Sequence, residues 1–290
     1  MRRVWTWVRV LGGLLILGLL VQRLGTAPFR EGLAALDARA LLLGALLAVL
    51  TTLASAWRWR VVARSLGVGL PLPVAVASCY RSQFLNSVLP GGVLGDVHRG
   101  VSHGRQAGRV GAGVRAVAWE RVLGLVVLSA IALPVSGALV DGPLPWLLTG
   151  SALVIAAVVV ATVPGVPSLS PRGWAAVVAA SLLATTGYVL TFAVAAESVG
   201  AELTPATLLP IALLVLLASS IPVNVGGWGP REGAAAWVFG LAGLGASLGV
   251  SVSVAYGVMG LVSTLPGGVI LLLGHLERDP APVPGEGGAR

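Results

Sequence analysis

The chain has 290 residues, 56% of them hydrophobic and 10% charged, and its mean hydropathy of +0.93 exceeds what a water-soluble globule of this length requires for a core. The formal net charge is +8, but the basic residues are scattered over short loops between apolar runs, which excludes the concentrated basic face of a nucleic-acid-binding domain. All 19 basic residues are arginine and Cys79 is the single cysteine, so a lysine Schiff base, a P-loop lysine, an intrachain disulfide, a cysteine zinc site and an iron–sulfur cluster are all excluded.

Met1-Arg2-Arg3 and the apolar run to Val21 have the look of a signal peptide, but no small-residue cleavage pattern precedes Gln22-Arg23, so a retained first span is predicted. A second span covers about residues 38–57 and stops at Arg58, Arg60 and Arg64, where Trp57 and Trp59 suit the membrane interface. Residues 72–96 lie between that arginine-rich flank and a second one, His98 to Arg115. Both flanks belong on one side of the membrane, so a re-entrant hairpin is predicted here. Further spans are expected near residues 122–140, 144–163, 174–196, 208–221 and 250–274. A second interrupted stretch, 221–245, is broken by Pro222, Gly226, Gly227, Gly229 and Pro230 and either crosses or returns.

The expected architecture is an all-α polytopic transmembrane helix bundle of about seven or eight spans, two of them broken or re-entrant. It occupies residues 1–276 as one integral membrane domain, and the Pro- and Gly-rich 277–290 is expected to be a disordered polar tail. With a cytoplasmic amino terminus, Arg2, Arg3, Arg58, Arg60, Arg64, Arg99, Arg105, Arg109, Arg115 and Arg172 fall inside and only Arg23, Arg30 and Arg39 outside. This is the positive-inside bias, and it places the chain in the cell membrane with its amino terminus in the cytoplasm.

Polar groups inside apolar sequence mark the candidate site. Arg81, Gln83 and Asn86 sit close together ahead of the helix break at Pro90-Gly91-Gly92, and Gly95, Asp96 and Arg99 follow it. Freed backbone groups at such a break, with guanidiniums beside them, suit a phosphate. The bland alternative is a structural Asp96–Arg99 pair with Gln83 and Asn86 joining helices. Glu120-Arg121 opens the next span, and Arg231-Glu232 follows the second break at Pro222, Gly226, Gly227 and Gly229. An Arg and a Glu from separate helices would neutralise each other until a headgroup displaces one of them; ordinary interfacial pairing is the alternative. His98 and His103 read as interfacial, the Gly-x-x-x-Gly pairs as packing contacts, and Trp5, Trp7, Trp57, Trp59, Trp119 and Trp174 as belt anchors. Leu89-Pro90-Gly91-Gly92 and Ile221-Pro222 each lead to glycines and an arginine, and Leu265-Pro266-Gly267-Gly268 repeats the first opening. These echoes signal either a duplication or chance in a chain with 40 Gly and 18 Pro.

Three blocks carry a family resemblance: Gln83-x-x-Asn86-x-x-Leu89-Pro90-Gly91-Gly92-x-x-Gly95-Asp96-x-x-Arg99, Glu120-Arg121-x-x-Gly124, and Pro222-x-x-x-Gly226-Gly227-x-Gly229-x-x-Glu232. Together they resemble the lysylphosphatidylglycerol synthase transmembrane-region family, a flippase-like integral membrane domain found alone or fused to lipid-modifying enzymes. The resemblance implies movement of a phospholipid or lipid-linked headgroup between leaflets, with Asn86, Asp96, Arg99, Glu120, Arg121, Arg231 and Glu232 lining the path. No aminoacyl-transferase sequence accompanies the blocks, so lysyl transfer is not expected. The partners expected are membrane lipids with anionic or lipid-phosphate headgroups, no nucleic acid, and in a scaffold reading a lipid-modifying enzyme or glycosyltransferase. No cofactor and no enzymatic activity are expected; an intramembrane lipid-modifying enzyme is the remaining alternative, against which stand the lack of a paired-aspartate metal motif and of lysine.

Overall fold

The computed structural model describes residues 2–89, 92–137, 150, 154, 157–158, 160–221 and 225–276. Ten α-helices have both ends among these residues, which form no strand. Helices α1 (Arg2–Leu24) and α2 (Ala27–Ala34) meet at a bend of 100°, turned at Gly25 with φ +74°. The long helix α3 (Ala38–Ser65) opens on Asp37, whose carboxylate accepts the Ala40 N–H at 2.7 Å. It runs on past its predicted stop at Arg58. Arg58 and Trp59 are buried rather than interfacial, because the bundle itself supplies partners for the charge. For the same reason α6 (Val110–Gly137) begins well before residue 122 and carries Glu120 and Arg121 in its interior.

Between them lie α4 (Leu72–Val88) and α5 (Leu94–Gln106). Helix α4 ends because Pro90 follows: Leu89 is forced extended, with φ −96° and ψ 143°. The two helices pack on each other, α4 also on α3 and α5 on α6. Near its end α5 places His103 Nε2 2.7 Å from the Val68 carbonyl oxygen, just ahead of α4. Ala56, Trp59 and Ala63 of α3, Ala75 and Cys79 of α4 and Ala112 and Ala116 of α6 form one buried cluster there. The α4–α5 pair therefore returns to the end of the bundle from which it starts, as the arginine-rich flanks predict.

Helix α7 (Pro171–Ser198) starts on Ser170, which caps Gly173 N–H, with Pro171 in the first turn. The pair α8 (Pro205–Ser219) and α9 (Pro230–Leu241) follows, then α10 (Ala246–Leu276). A second buried cluster joins Phe192 and Ala195 of α7, Ile211 and Ala212 of α8, Val238 and Phe239 of α9 and Val252 of α10, with Leu36, just ahead of α3, and Leu41 from its first turn packed on it. So α8–α9 also returns, and it does so at the opposite end from α4–α5.

Two halves related by an inverted repeat emerge. Helices α3 to α6 have 28, 17, 13 and 28 residues, and α7 to α10 have 28, 15, 12 and 31. Packing obeys the same exchange: α4 lies on α10 as α8 lies on α6, α5 on α6 as α9 on α10, and α3 on α10 as α7 on α6. Helices α3 and α7 pack on each other across the axis and run antiparallel. The later Arg58 meets the earlier Ser181 at 3.0 Å, while the earlier Thr51 fills the space beside the later Gly187. The sequence keeps a trace, since the same step separates Leu89 from Arg99 and Ile221 from Arg231. The third echo is no break, because Pro266 lies inside α10. There Gly267 and Gly268 let α10 approach Tyr80 and Phe84 of α4.

By length and apolarity α3, α6, α7 and α10 each suffice to cross a bilayer, and the bent α1–α2 pair passes the same test only when its two helices are taken together as one broken span. Most of the predicted span 144–163, and the tail 277–290, lie outside the described residues.

Candidate functional site

The tips of the two hairpins come together in the middle of the bundle. A Cβ on Gly226 would stand 2.6 Å from the Ser87 carbonyl oxygen, so the second tip rests on the end of α4. Beside this contact the helices line a half-open cavity of about 340 Å³. Its walls come from α3 (Thr51, Thr52, Ser55), α4 (Gln83, Asn86, Ser87), α7 (Tyr188, Thr191) and α10 (Tyr256, Ser263, Thr264), with Arg99, Glu120, Arg121 and Arg231 adding charge. The same helices turn Leu42, Leu46, Leu182, Leu190 and Leu272 outward. An exterior of leucine around a polar interior is the arrangement a bilayer selects.

Glu120 is 1% exposed and holds two arginines at once. Its Oε1 accepts from Arg58 Nε at 3.0 Å and Nη2 at 2.5 Å, and its Oε2 accepts from Arg99 Nη2 at 2.9 Å. Room for the Arg58 guanidinium is left by Gly124, where a Cβ would lie 2.8 Å from Arg58 Cζ. Asp96 forms the second node. Its oxygens accept from Ser82 at 2.8 Å, Asn86 at 3.2 Å, Arg99 at 3.2 Å and Arg121 at 2.7 Å. Asn86 bridges the break, since its Oδ1 also accepts the Gly95 N–H at 2.8 Å. Arg99 also donates from Nη1 to Cys79 Sγ at 3.0 Å and lies over the Trp59 ring at 4.6 Å.

At the second tip Val225 and Trp228 exchange backbone hydrogen bonds of 3.0 Å. Gly226 and Gly227 have φ +59° and +88°, as a two-residue reverse turn of the primed type requires. Glu232 caps α9 by accepting the Gly229 N–H at 2.7 Å, where Gly229 has φ +119°. Its other oxygen accepts from Arg231 Nε at 2.9 Å and Nη2 at 2.5 Å. Ser253 bonds both partners at 3.2 Å. Trp228 and Tyr256 stand 5.0 and 5.6 Å from the Arg231 guanidinium carbon.

Of the residues singled out in the sequence, Gln83, Asn86, Gly92, Arg99, Glu120, Arg121, Gly226, Gly227 and Arg231 line the cavity. Gly95, Asp96, Gly229 and Glu232 stand behind that wall and hold it in place through the bonds just given. Arg81 does not join them. Two residues before Gln83 it lies about 200° round the helix, and it donates to Ser78 Oγ at 3.1 Å instead. Pro90, Gly91 and Pro222 lie outside the described residues. Trp59 and Trp119 are buried, not belt anchors, and His103 is buried against Val68, whereas Trp57 and Trp174 are exposed as predicted. Sequence reasoning missed Arg58, Ser181, Tyr188 and Tyr256. A signal was present: Thr51, Ser55 and Arg58 are spaced i, i+4, i+7, which puts polar groups on one face of an apolar helix.

Among known protein families, the one described as the lysylphosphatidylglycerol synthase TM region matches residues 6–169. That stretch exceeds half of the chain and holds α1 to α6, with the first hairpin and both charged nodes. The chain belongs to the lysylphosphatidylglycerol synthase transmembrane-region family. No curated protein and no solved structure gives a match. Family membership makes this a multi-pass membrane protein related to lipid handling. The matched stretch stops just before α7, so the second half enters this account through its inverted-repeat relation to the first.

Proposed function

We propose that the protein moves a lipid between the two leaflets by sheltering its headgroup in the central cavity while the acyl chains remain in the bilayer. The observation that carries this reading is the meeting of two hairpins, inserted from opposite ends, at one polar cavity. Each hairpin is an interrupted helix pair, and pairs of this kind place binding sites at the midplane of transporters built from inverted repeats. A volume of about 340 Å³ falls in the usual range of small-ligand sites, roughly 300–1,000 Å³. The arginines facing it suit an anionic or lipid-phosphate headgroup. The arginine asymmetry between the two ends favours an amino terminus in the cytoplasm and residence in the cell membrane. In this reading the chain is a carrier, not an enzyme.

Exchange follows from the repeat: rocking of one half against the other closes the cavity to one leaflet and opens it to the other. Reconstitution into sealed vesicles with acyl-labelled lipids tests this. The expected result is leaflet exchange clearly faster than in protein-free vesicles for at least one anionic lipid. Rates equal to those of empty vesicles for anionic, zwitterionic and polyprenyl-phosphate lipids would reject the proposal.

A further inference from the structure

The ion pairs of the described residues join four guanidiniums, Arg58, Arg99, Arg121 and Arg231, to three carboxylates, Asp96, Glu120 and Glu232. Arg231 and Glu232 neutralise each other. The excess therefore lies in the cluster at the first hairpin, where three arginines share two carboxylates. Arg99 Nε is moreover buried without an acceptor, although the residue is only 3% exposed. A positive charge left uncompensated at membrane depth is strongly disfavoured, so the cluster is one negative charge short of balance.

We infer, resting on the transport reading above, that the cargo is a lipid with a singly charged phosphodiester and a hydroxyl-bearing headgroup, taken up by Arg121 in exchange for Asp96. Arg121 is the arginine placed to make that exchange. Its side chain is 49% exposed, against 8% or less for its neighbours Arg58 and Arg99, and it lines the cavity. When it turns from Asp96 to a phosphate, Asp96 keeps Ser82, Asn86 and Arg99, so no carboxylate is left bare. One negative charge balances the cluster. A doubly charged phosphomonoester overshoots, a zwitterion leaves the excess in place, and an aminoacylated headgroup adds to it.

The remaining wall speaks for hydroxyls on the headgroup. Thr51, Thr191, Ser219 and Ser263 all line the cavity, and each donates its hydroxyl hydrogen to a carbonyl of its own helix at 2.7–3.1 Å. Their oxygens therefore offer lone pairs to whatever enters. A glycerol-like or other polyol headgroup supplies the matching donors.

The test uses the full chain in sealed vesicles with three acyl-labelled probes: phosphatidylglycerol, phosphatidylcholine and lysylated phosphatidylglycerol, of net charge minus one, zero and plus one. Phosphatidylglycerol is expected to exchange about tenfold faster than the other two, equivalent to about 1.4 kcal/mol of discrimination. Arg121→Gln removes the excess charge. Gln83→Glu, a near-isosteric change at the α4 lining of the cavity, supplies the missing negative one. Both are expected to bring phosphatidylglycerol down to the rate of phosphatidylcholine. Millimolar inorganic phosphate is expected to leave wild-type exchange unchanged. Equal wild-type rates for all three lipids, a preference that survives both variants, or block by free phosphate would each overturn the charge assignment while transport stands. Absence of exchange for every lipid would instead sink the transport reading beneath it.

Discussion

Glu120 ties three helices together, because from α6 it is the shared counter-charge of Arg58 from α3 and Arg99 from α5. Replacing it leaves Arg58 without a carboxylate and Arg99 with Asp96 alone, and a broken buried pair costs about 3–5 kcal/mol. We therefore expect Glu120→Gln to lower the thermal unfolding midpoint of the detergent-purified protein markedly, and Arg58→Met combined with Glu120→Met to recover part of the loss. A midpoint for Glu120→Gln within a degree of wild type would contradict the assigned pairing. Glu120 was legible in the sequence, because a carboxylate inside an apolar run stands out. Arg58 was not: it ends a run and is followed by Arg60 and Arg64, so the positive-inside pattern absorbed it. Only the partner on another helix reveals that this arginine turns inward. Arg81 misled in the opposite sense, since nearness in sequence to Gln83 concealed that it faces away.

The hairpins were visible as elements because Pro and Gly interrupt apolar sequence, and the arginines flanking residues 72–96 required that segment to return. Nothing comparable flanks the second hairpin. Whether it crossed or returned was decided by packing, since α9 comes back to the cluster that also contains the ends of α7 and α8. The contact between the tips is open to a matched pair of substitutions. Gly226 and Gly243 both have positive φ, +59° and +72°, so alanine at either incurs a similar backbone penalty of about 1 kcal/mol. Only Gly226 faces another chain segment, the Ser87 carbonyl, while the space at Gly243 is open. Gly226→Ala is expected to destabilise the protein by about 1–3 kcal/mol more than Gly243→Ala in detergent unfolding, the usual range for overpacking. Equal effects would mean that the tips do not bear on each other.

An inverted repeat makes a statement about the whole molecule that no single helix can make. Gln106 closes the first hairpin, Ser247 follows the second, and both are exposed. In a Cys79→Ser background, cysteines at these two positions are expected to react with an impermeant maleimide from opposite sides of sealed, uniformly oriented vesicles. Labelling from the same side would abolish the repeat. The repeat left only a short trace in the sequence, the shared step from Leu89 to Arg99 and from Ile221 to Arg231, because helix lengths and packing partners persist where side chains diverge. The most direct test of the account uses Ser87 and Thr264, whose hydroxyl oxygens lie 3.2 Å apart and join α4 of the first half to α10 of the second. In the same background, the Ser87→Cys and Thr264→Cys pair is close enough to staple the halves across the cavity. Lipid exchange should stop on oxidation and return on reduction of the same vesicles. Unchanged exchange in fully cross-linked protein would show that no headgroup passes between the two halves.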